Sequence, residues 1–369
     1  MASALTLFLL PFSWVYAGIM AVRNWLYDAG WKKSEAFAVP LINVGNLRVG
    51  GTGKTPHVGW LVGELLRQGH RPAILSRGYG RQTLGPRVAT AFDSAVTVGD
   101  EPWQYFQQFT TSQVPVAVAE QRRLGMRLIL EQYPDTTVVV LDDAFQHRAV
   151  RPALNVLLTE WARPFYHDHV LPAGRLRESR SGARRADVVV VTKCPPDLPL
   201  VAQAAVTQHV RRYSRPHASV LFSSYEYSNP VALATENPSP NASSLSSPKS
   251  KESAKPAVLL TGIAQPGPLR EYLVDQGYII KHHAIFPDHY HFQPADVTRL
   301  RAHWQAGWPI FTTEKDATRL QGPLVRAAWA GLPLYTIPVR VAFLGEGSAL
   351  LRRLLPLAPP RGYLIVHLA

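Results

Sequence analysis

The run Val44-Gly45-Asn46-Leu47-Arg48-Val49-Gly50-Gly51-Thr52-Gly53-Lys54-Thr55-Pro56 carries the residue types that grip a phosphate. Glycines let successive backbone N–H groups converge on anionic oxygens. A lysine then reaches the β- and γ-phosphates, and a neighbouring hydroxyl holds Mg²⁺. Here the cradle is Asn46, Gly50, Gly51, Thr52, Gly53, Lys54 and Thr55. The pattern G-x-x-x-x-G-K-[ST] calls for glycine at position 48, where this chain has Arg48. The plain alternative is a glycine-rich strand-to-helix turn that binds nothing.

Further groups have the chemistry to serve such a loop. Asp142 and Asp143 end an apolar run at 137–141, the setting of a Mg²⁺-binding acidic strand end, although adjacent aspartates are common in solvated loops. Asp100 and Glu101 open a helical stretch, where carboxylates also serve as helix-start groups. Ser76-Arg77-Gly78-Tyr79-Gly80-Arg81 offers a clamp for an anionic substrate or a surface turn. Gly174-Arg175-Leu176-Arg177-Glu178 has mixed charges suited to phosphate and metal, or to a solvated face. Asp288-His289-Tyr290-His291 holds two close histidines but no third ligand at zinc spacing, which favours a catalytic or orienting histidine over a zinc site. Thr313-Glu314-Lys315-Asp316 ends a further strand and is either structural or nucleotide-facing.

Apolar runs and helical periodicities alternate through the elements that must place these groups. Strands are predicted at 37–44, 72–76, 114–117, 137–141, 153–158 and 186–192, and helices at 57–68, 102–110, 122–132 and 199–210. That alternation specifies a parallel sheet covered by helices on both faces, with ligands at the carboxyl ends of its strands. Residues 229–256 are dense in Ser, Pro, Asn and Lys and are expected to be a disordered insertion. Beyond them strands at 257–261, 278–286, 308–312 and 334–338, with helices at 266–276 and 294–306, make a second, smaller α/β unit.

The 369 residues carry a formal net charge of +13, which favours an anionic partner: nucleic acid, acidic lipid or a phosphorylated substrate. No nucleic-acid-binding signature accompanies it, and no obligate protein partner is evident. A single cysteine, Cys194, excludes an internal disulfide framework and a cysteine metal cluster. Residues 1–22 are uncharged and apolar, followed by Arg23, Trp25, Tyr27, Trp31, Lys32 and Lys33. A signal peptide lacks its basic start here. A spanning helix fits by length, but Pro11, Ser13 and Gly18 weaken it. An interfacial helix suits the aromatic and basic end best.

Taken in order, these motifs resemble the tetraacyldisaccharide 4'-kinase (lipid A 4'-kinase) family. The match is carried by Gly45-Asn46 with Gly50 to Pro56, Ser76 to Gly80, Gly99-Asp100-Glu101-Pro102, Asp142 to Arg148 and Leu171 to Glu178. Thr192-Lys193, Thr261-Gly262-Ile263-Ala264, Phe286 to His289 and Thr313 to Asp316 complete it. Ala144 departs from the family's usual glycine.

The resemblance implies a P-loop kinase of two α/β/α domains, a parallel-sheet nucleotide domain plus a smaller one, joined by a two-stranded linker. The implied layout is a membrane-associated helix at 1–33, a nucleotide domain at 34–228, the insertion at 229–256, the second domain at 257–340, and a 341–369 segment returning to the first. ATP and Mg²⁺ are the implied cofactors, and the reaction is phosphorylation of the 4'-hydroxyl of an acylated disaccharide lipid at the cytoplasmic face of the inner membrane. Asp100 is implied as general base, His289 as its support and Lys54 as phosphate ligand. Thr55, Asp142, Asp143, Glu101 and Glu178 are implied around the metal. Arg77, Tyr79, Gln146, His147 and Arg177 are implied on the substrate. The competing readings are a nucleotide-binding protein without lipid phosphotransfer and a membrane-associated P-loop NTPase switch, which Pro195 disfavours for guanine by standing where Thr-Lys-x-Asp needs its aspartate.

Overall fold

The computed structural model describes residues 4–233, 255–288 and 290–355. Helix α1 (Ala4–Asp28) leads into β1 (Leu41–Asn46), α2 (Lys54–Arg67), β2 (Pro72–Ser76) and the short β3 (Arg87–Val88). Helices α3 (Ala95–Val98) and α4 (Asp100–Phe109) precede β4 (Val116–Val118), α5 (Arg122–Gln132), β5 (Val138–Asp142) and β6 (Leu154–Glu160). Next come β7 (Val188–Thr192), α6 (Leu200–Arg211), β8 (Ser219–Tyr227) and β9 (Val231–Ala232). The chain continues through β10 (Lys255–Thr261), α7 (Gly267–Asp275), β11 (Tyr278–Ile285), α8 (Pro294–Arg301) and β12 (Ile310–Thr313). It closes with α9 (Glu314–Leu320), α10 (Pro323–Ala328), β13 (Leu334–Ile337), β14 (Val339–Phe343) and α11 (Gly347–Leu354).

The first sheet has nine strands in the order β14-β8-β7-β6-β1-β5-β2-β4-β3. Its interior strands are parallel, while β3 and β14 run antiparallel at the two edges. Parallel strands need crossovers, so helices cover both faces and the strands are apolar on both sides. Ile42, Val140, Val156 and Val190 point into one core with Val58, Leu61, Val62 and Leu65 of α2 and Tyr105 of α4. Leu41, Val139 and Leu141 point the other way, onto Met126 and Ile129 of α5, and Val189 and Val191 join Val206 and Val210 of α6. The strand order reverses at β1, which pairs with both β5 and β6. Such a switch point opens a crevice at the strands' carboxyl ends, beyond Asn46 and Asp142.

The second sheet, β11-β10-β12-β13-β9, is packed by α7 on one face and by α8, α9 and α10 on the other. The chain leaves the first sheet after β8 and rejoins it as β14, with Val339 opposite Tyr227. That return begins at 339, two positions ahead of the expected 341. The stretch read as an insertion at 229–256 has strand at both ends. Val231 and Ala232 pair with Thr336 and Tyr335, and β10 starts at Lys255, because β-branched and apolar residues there extend the second sheet. Residues 234–254 and 356–369 lie outside the described residues.

Candidate active site

The glycine-rich segment links β1 to α2 at the switch point. Gly50 (φ +112°) and Gly53 (φ +88°) take conformations that disfavour other residues, and a Cβ at Gly50 or Gly51 would meet nothing within 4 Å. The open face is therefore a backbone-lined concavity at a helix N-terminus, suited to an anion. Its walls are braced. Asn46 Nδ2 donates to Thr52 Oγ1 at 2.7 Å, Thr192 Oγ1 to the Thr52 carbonyl at 2.9 Å, and Lys193 Nζ to the Gly51 carbonyl at 2.6 Å. Position 48 needs no glycine, because the loop runs extended beside 175–177: Val49 N–H reaches the Arg175 carbonyl at 2.8 Å and Arg177 N–H the Leu47 carbonyl at 2.7 Å. Arg48 instead ties the loop to Asp168 at 2.6 Å and to Glu160 at 3.5 Å.

Beneath the loop, His57 is buried, with Nδ1 at 2.7 Å from the Gly53 carbonyl and Nε2 at 2.9 Å from Ser223 Oγ. The carbonyl can only accept, so Nδ1 carries the proton and Nε2 accepts the Ser223 hydroxyl. Burial holds this imidazole neutral by pushing its pKa down to about 4.

Acidic groups gather at the ends of β5 and α4. Burial, then Asp143 and Glu101, push Asp142 up to about 7, against the pull of Lys54 and Arg122. Its Oδ2 accepts the Ser76 hydroxyl at 3.1 Å, while its buried Oδ1 has no partner among the described residues. The Tyr105 hydroxyl, equally buried and unpartnered, lies beside Thr55 and Asp142. Asp143 takes a left-handed backbone (φ +47°), so Ala144 after it needs no glycine. Burial opposes ionisation of Asp143, yet Lys54 at 3.8 Å and Arg177 at 2.8 and 3.0 Å outweigh it and hold the carboxyl below its usual range.

This donor set fits a hard divalent cation: an orphaned buried carboxylate oxygen with a hydroxyl and further carboxylates nearby. No group of three or more His, Cys, Asp or Glu among the described residues could enclose a metal by itself. Mg²⁺ has no such requirement, since one or two carboxylates plus substrate phosphates hold it.

Gly99 (φ +97°) turns the chain into α4, and a Cβ there would meet the Tyr79 carbonyl at 3.0 Å. This close approach puts the exposed Tyr79 loop against Asp100. Arg319 of α9, a residue the sequence reading did not single out, donates from Nε to Asp100 Oδ2 at 2.7 Å. It also reaches the Gly262 carbonyl and Asp316 Oδ1, both at 3.3 Å. The second unit thus delivers a buried guanidinium to the start of α4. Thr313 caps α9 by accepting the Asp316 N–H at 3.0 Å, and Asp316 accepts Gly262 N–H at 3.0 Å, which gives the Thr313–Asp316 motif a structural role. His289 lies outside the described residues, and its neighbour Asp288 pairs with Lys315 at 3.1 Å.

Gln146 bridges the Asn46 carbonyl and Glu178 Oε1, both at 2.9 Å. Glu178 differs from its expected metal role. It is 1% exposed, and its oxygens are taken by Gln146, by Arg185 at 2.6 Å and by Asn24 of α1 at 2.8 Å. Helix α1 also reaches the site through Arg23 Nη2 to the Gln146 carbonyl (2.7 Å) and Tyr16 to the Arg177 carbonyl (3.1 Å). His147 is held neutral, pushed down to about 4 by burial and then by Arg122 and Arg77. Arg77 itself is exposed, like Tyr79.

The chain matches the family model for tetraacyldisaccharide-1-P 4'-kinase over residues 5–357. It is 40% identical over 348 residues to the tetraacyldisaccharide 4'-kinase of Bacteroides thetaiotaomicron, covering 91% of this chain and 88% of that one. It is likewise 40% identical over 349 residues to that of Cytophaga hutchinsonii, covering 94% of each. Among solved structures, LpxK from Aquifex aeolicus in complex with ATP aligns with a TM-score of 0.71 at 30% identity, over 95% of this chain and 98% of that one. A glycine-rich loop at the switch point, acidic strand ends beside it and near full-length likeness to these kinases lead to one assignment: this chain belongs to the tetraacyldisaccharide 4'-kinase family.

Proposed function

We propose that this chain transfers the γ-phosphoryl group of ATP to the 4'-hydroxyl of a tetraacyldisaccharide 1-phosphate in lipid A biosynthesis. The observation that carries this reading is the Lys54–Asp143–Arg177 cluster at the glycine-rich loop, with the charge of Glu101 on α4 acting on neighbouring Asp142, in a chain from this family. The new bond joins the 4'-oxygen to phosphorus, the bond to the β-phosphate oxygen breaks, and ADP leaves. Asp100 takes the hydroxyl proton, which a poor nucleophile must lose as it attacks, and His289 supports it from the second unit. Lys54 and the loop amides meet charge that builds on the transferring group. Arg77, Tyr79, Gln146, His147 and Arg177 line the acceptor side. Thr55, Asp142, Asp143 and Glu101 would hold Mg²⁺, which neutralises phosphate charge when bound. Glu178 positions Gln146 and Arg185.

Helix α1 lies along the cytoplasmic face of the inner membrane in this reading. It is long and apolar enough to cross a bilayer. Yet its polar side chains dock on the body from Ser13, which accepts Ala173 N–H at 2.9 Å, to Asp28, which pairs with Arg148 at 2.5 Å. That docked stretch is about 22 Å at 1.5 Å per residue, and the remainder falls well short of a ~30 Å hydrocarbon core. Leu7, Phe8, Phe12, Trp14, Val15, Ile19 and Val22 stay exposed on the outer side. The test is transfer from γ-labelled ATP to a detergent-dispersed acylated disaccharide. Wild type labels the lipid, and Asp100→Ala binds ATP but does not. Hydrolysis of ATP without any lipid labelling would refute the reading.

A further inference from the structure

A cavity of ≈ 460 Å³ lies between the N-terminal half of α1 and residues 168–184 and 212–213 of the body. Leu10, Trp14 and Ala17 form its apolar side, and Arg180, Arg184 and Arg212 its basic side. Arg180 is fixed in place by two bonds to the Asp168 carbonyl, at 3.0 and 3.2 Å, and lies 5.9 Å from the Tyr213 ring centroid. Arg184 and Arg212 are exposed, and neither has a carboxylate partner among the described residues. Among the described residues the one carboxylate in the lining, Asp168, is already neutralised by Arg48 at 2.6 Å and accepts the His169 and Arg175 N–H groups. The cavity is thus net positive on one wall and apolar on the other. Its apolar wall continues onto Phe12 and Trp14, which are 57% and 69% exposed.

A phosphate attached to acyl chains satisfies both walls at once. Guanidinium forks match phosphate oxygens bidentately, and the chains run onto the exposed face of α1. We infer that Arg180, Arg184 and Arg212, with Leu10 and Trp14, form a binding site for the phosphate head group of an anionic lipid, separate from the catalytic crevice. The site orients α1 on the surface and adds a charge-dependent grip to its apolar contact. It rests on the interfacial placement of α1 proposed above.

The test measures partition of the full chain onto sedimenting vesicles of pure phosphatidylcholine and of phosphatidylcholine with phosphatidylglycerol. Arg184→Gln with Arg212→Gln should lower binding to the anionic vesicles by about fivefold per lost charge, about twenty-five-fold together, at low salt. Binding to neutral vesicles should not change. Arg184→Lys with Arg212→Lys, which keeps the charge, should retain binding. A control pair, Arg123→Gln with Arg353→Gln at exposed positions on α5 and α11, should lose far less.

A second arm measures KM for the acylated disaccharide in neutral detergent micelles. Lowered vesicle binding with unchanged KM supports the site, whereas a raised KM with unchanged vesicle binding would place the phosphate on the kinase substrate and overturn it. Equal vesicle binding and equal KM for wild type and the Gln pair would overturn it. Wild type that binds neither vesicle would overturn the interfacial reading and the site together, a result distinct from loss of anion dependence alone.

Discussion

Asp142→Asn should make the nucleotide-free protein more stable while removing activity. Burial and two neighbouring carboxylates raise Asp142 from 3.8 to about 7. A raised carboxyl pKa means the folded state holds its proton longer than the unfolded state, so stability falls as pH rises between these two values. The penalty is absent below pH 3.8 and complete above about pH 7. At ~1.36 kcal/mol per unit the full shift amounts to about 4 kcal/mol, of which somewhat under half is present at pH 5. Asparagine carries no charge, can still accept the Ser76 hydroxyl, and has an amide to offer the unpartnered Tyr105 oxygen beside it. Unfolding entropy of ~2.1 cal/mol/K per residue over this chain gives about 0.8 kcal/mol/K, hence a melting point about 5 °C above wild type at pH 8 and about 2 °C above at pH 5. Thermal melts of the full chain in detergent, without nucleotide or metal, read both values. A variant that melts no higher at pH 8, or by the same margin at both pH values, would refute the account of Asp142 as a strained, charged group.

Lys54→Ala should lower turnover by at least roughly two orders of magnitude in the lipid-labelling assay, and Thr55→Ala should raise the Mg²⁺ concentration needed for half-maximal rate. Gly53→Ala places a Cβ 1.9 Å from the Tyr225 hydroxyl oxygen at φ +88°, which should cost about 2–5 kcal/mol in denaturant unfolding. Adding Tyr225→Phe should recover the part due to overlap and leave the part due to backbone strain. Arg319→Met should cut kcat more than tenfold with little change in ATP affinity, because Asp100 loses its 2.7 Å partner. Arg319→Lys should restore part of the rate, and a shifted acid limb of the pH–rate profile separates this from a loss of folding.

The contiguous parts of the site could be read from the chain: the glycine loop between an apolar run and a helical stripe, and two aspartates at a strand end. Pairings across the fold could not. Nothing in the sequence joins Asp100 to Arg319, Glu178 to Asn24, or His57 to Ser223. Each side chain of those pairs is polar and reads locally as a surface group until the partner arrives. Strand β8 escaped notice for a related reason. Its buried stretch includes Ser223 and Ser224 in place of an unbroken apolar run, and Ser223 is there to meet His57. The motif from Thr313 was visible, but its first threonine is a helix cap, and the helix it starts carries Arg319 inward.

The antiparallel pair of β8 and β14 has a consequence for synthesis of the chain. Tyr227 meets Val339, so 112 positions (339 − 227) must be translated before the outer edge of β8 can be covered. At about 5–20 residues per second that takes roughly 6–22 s, during which an open strand edge faces the crowded exit of the ribosome. The second sheet, complete by Ile337, can form first and bring its two ends together. Its assembly then acts as the splint that delivers β14, and a folding defect there should surface as aggregation of a nucleotide-binding sheet whose own sequence is intact.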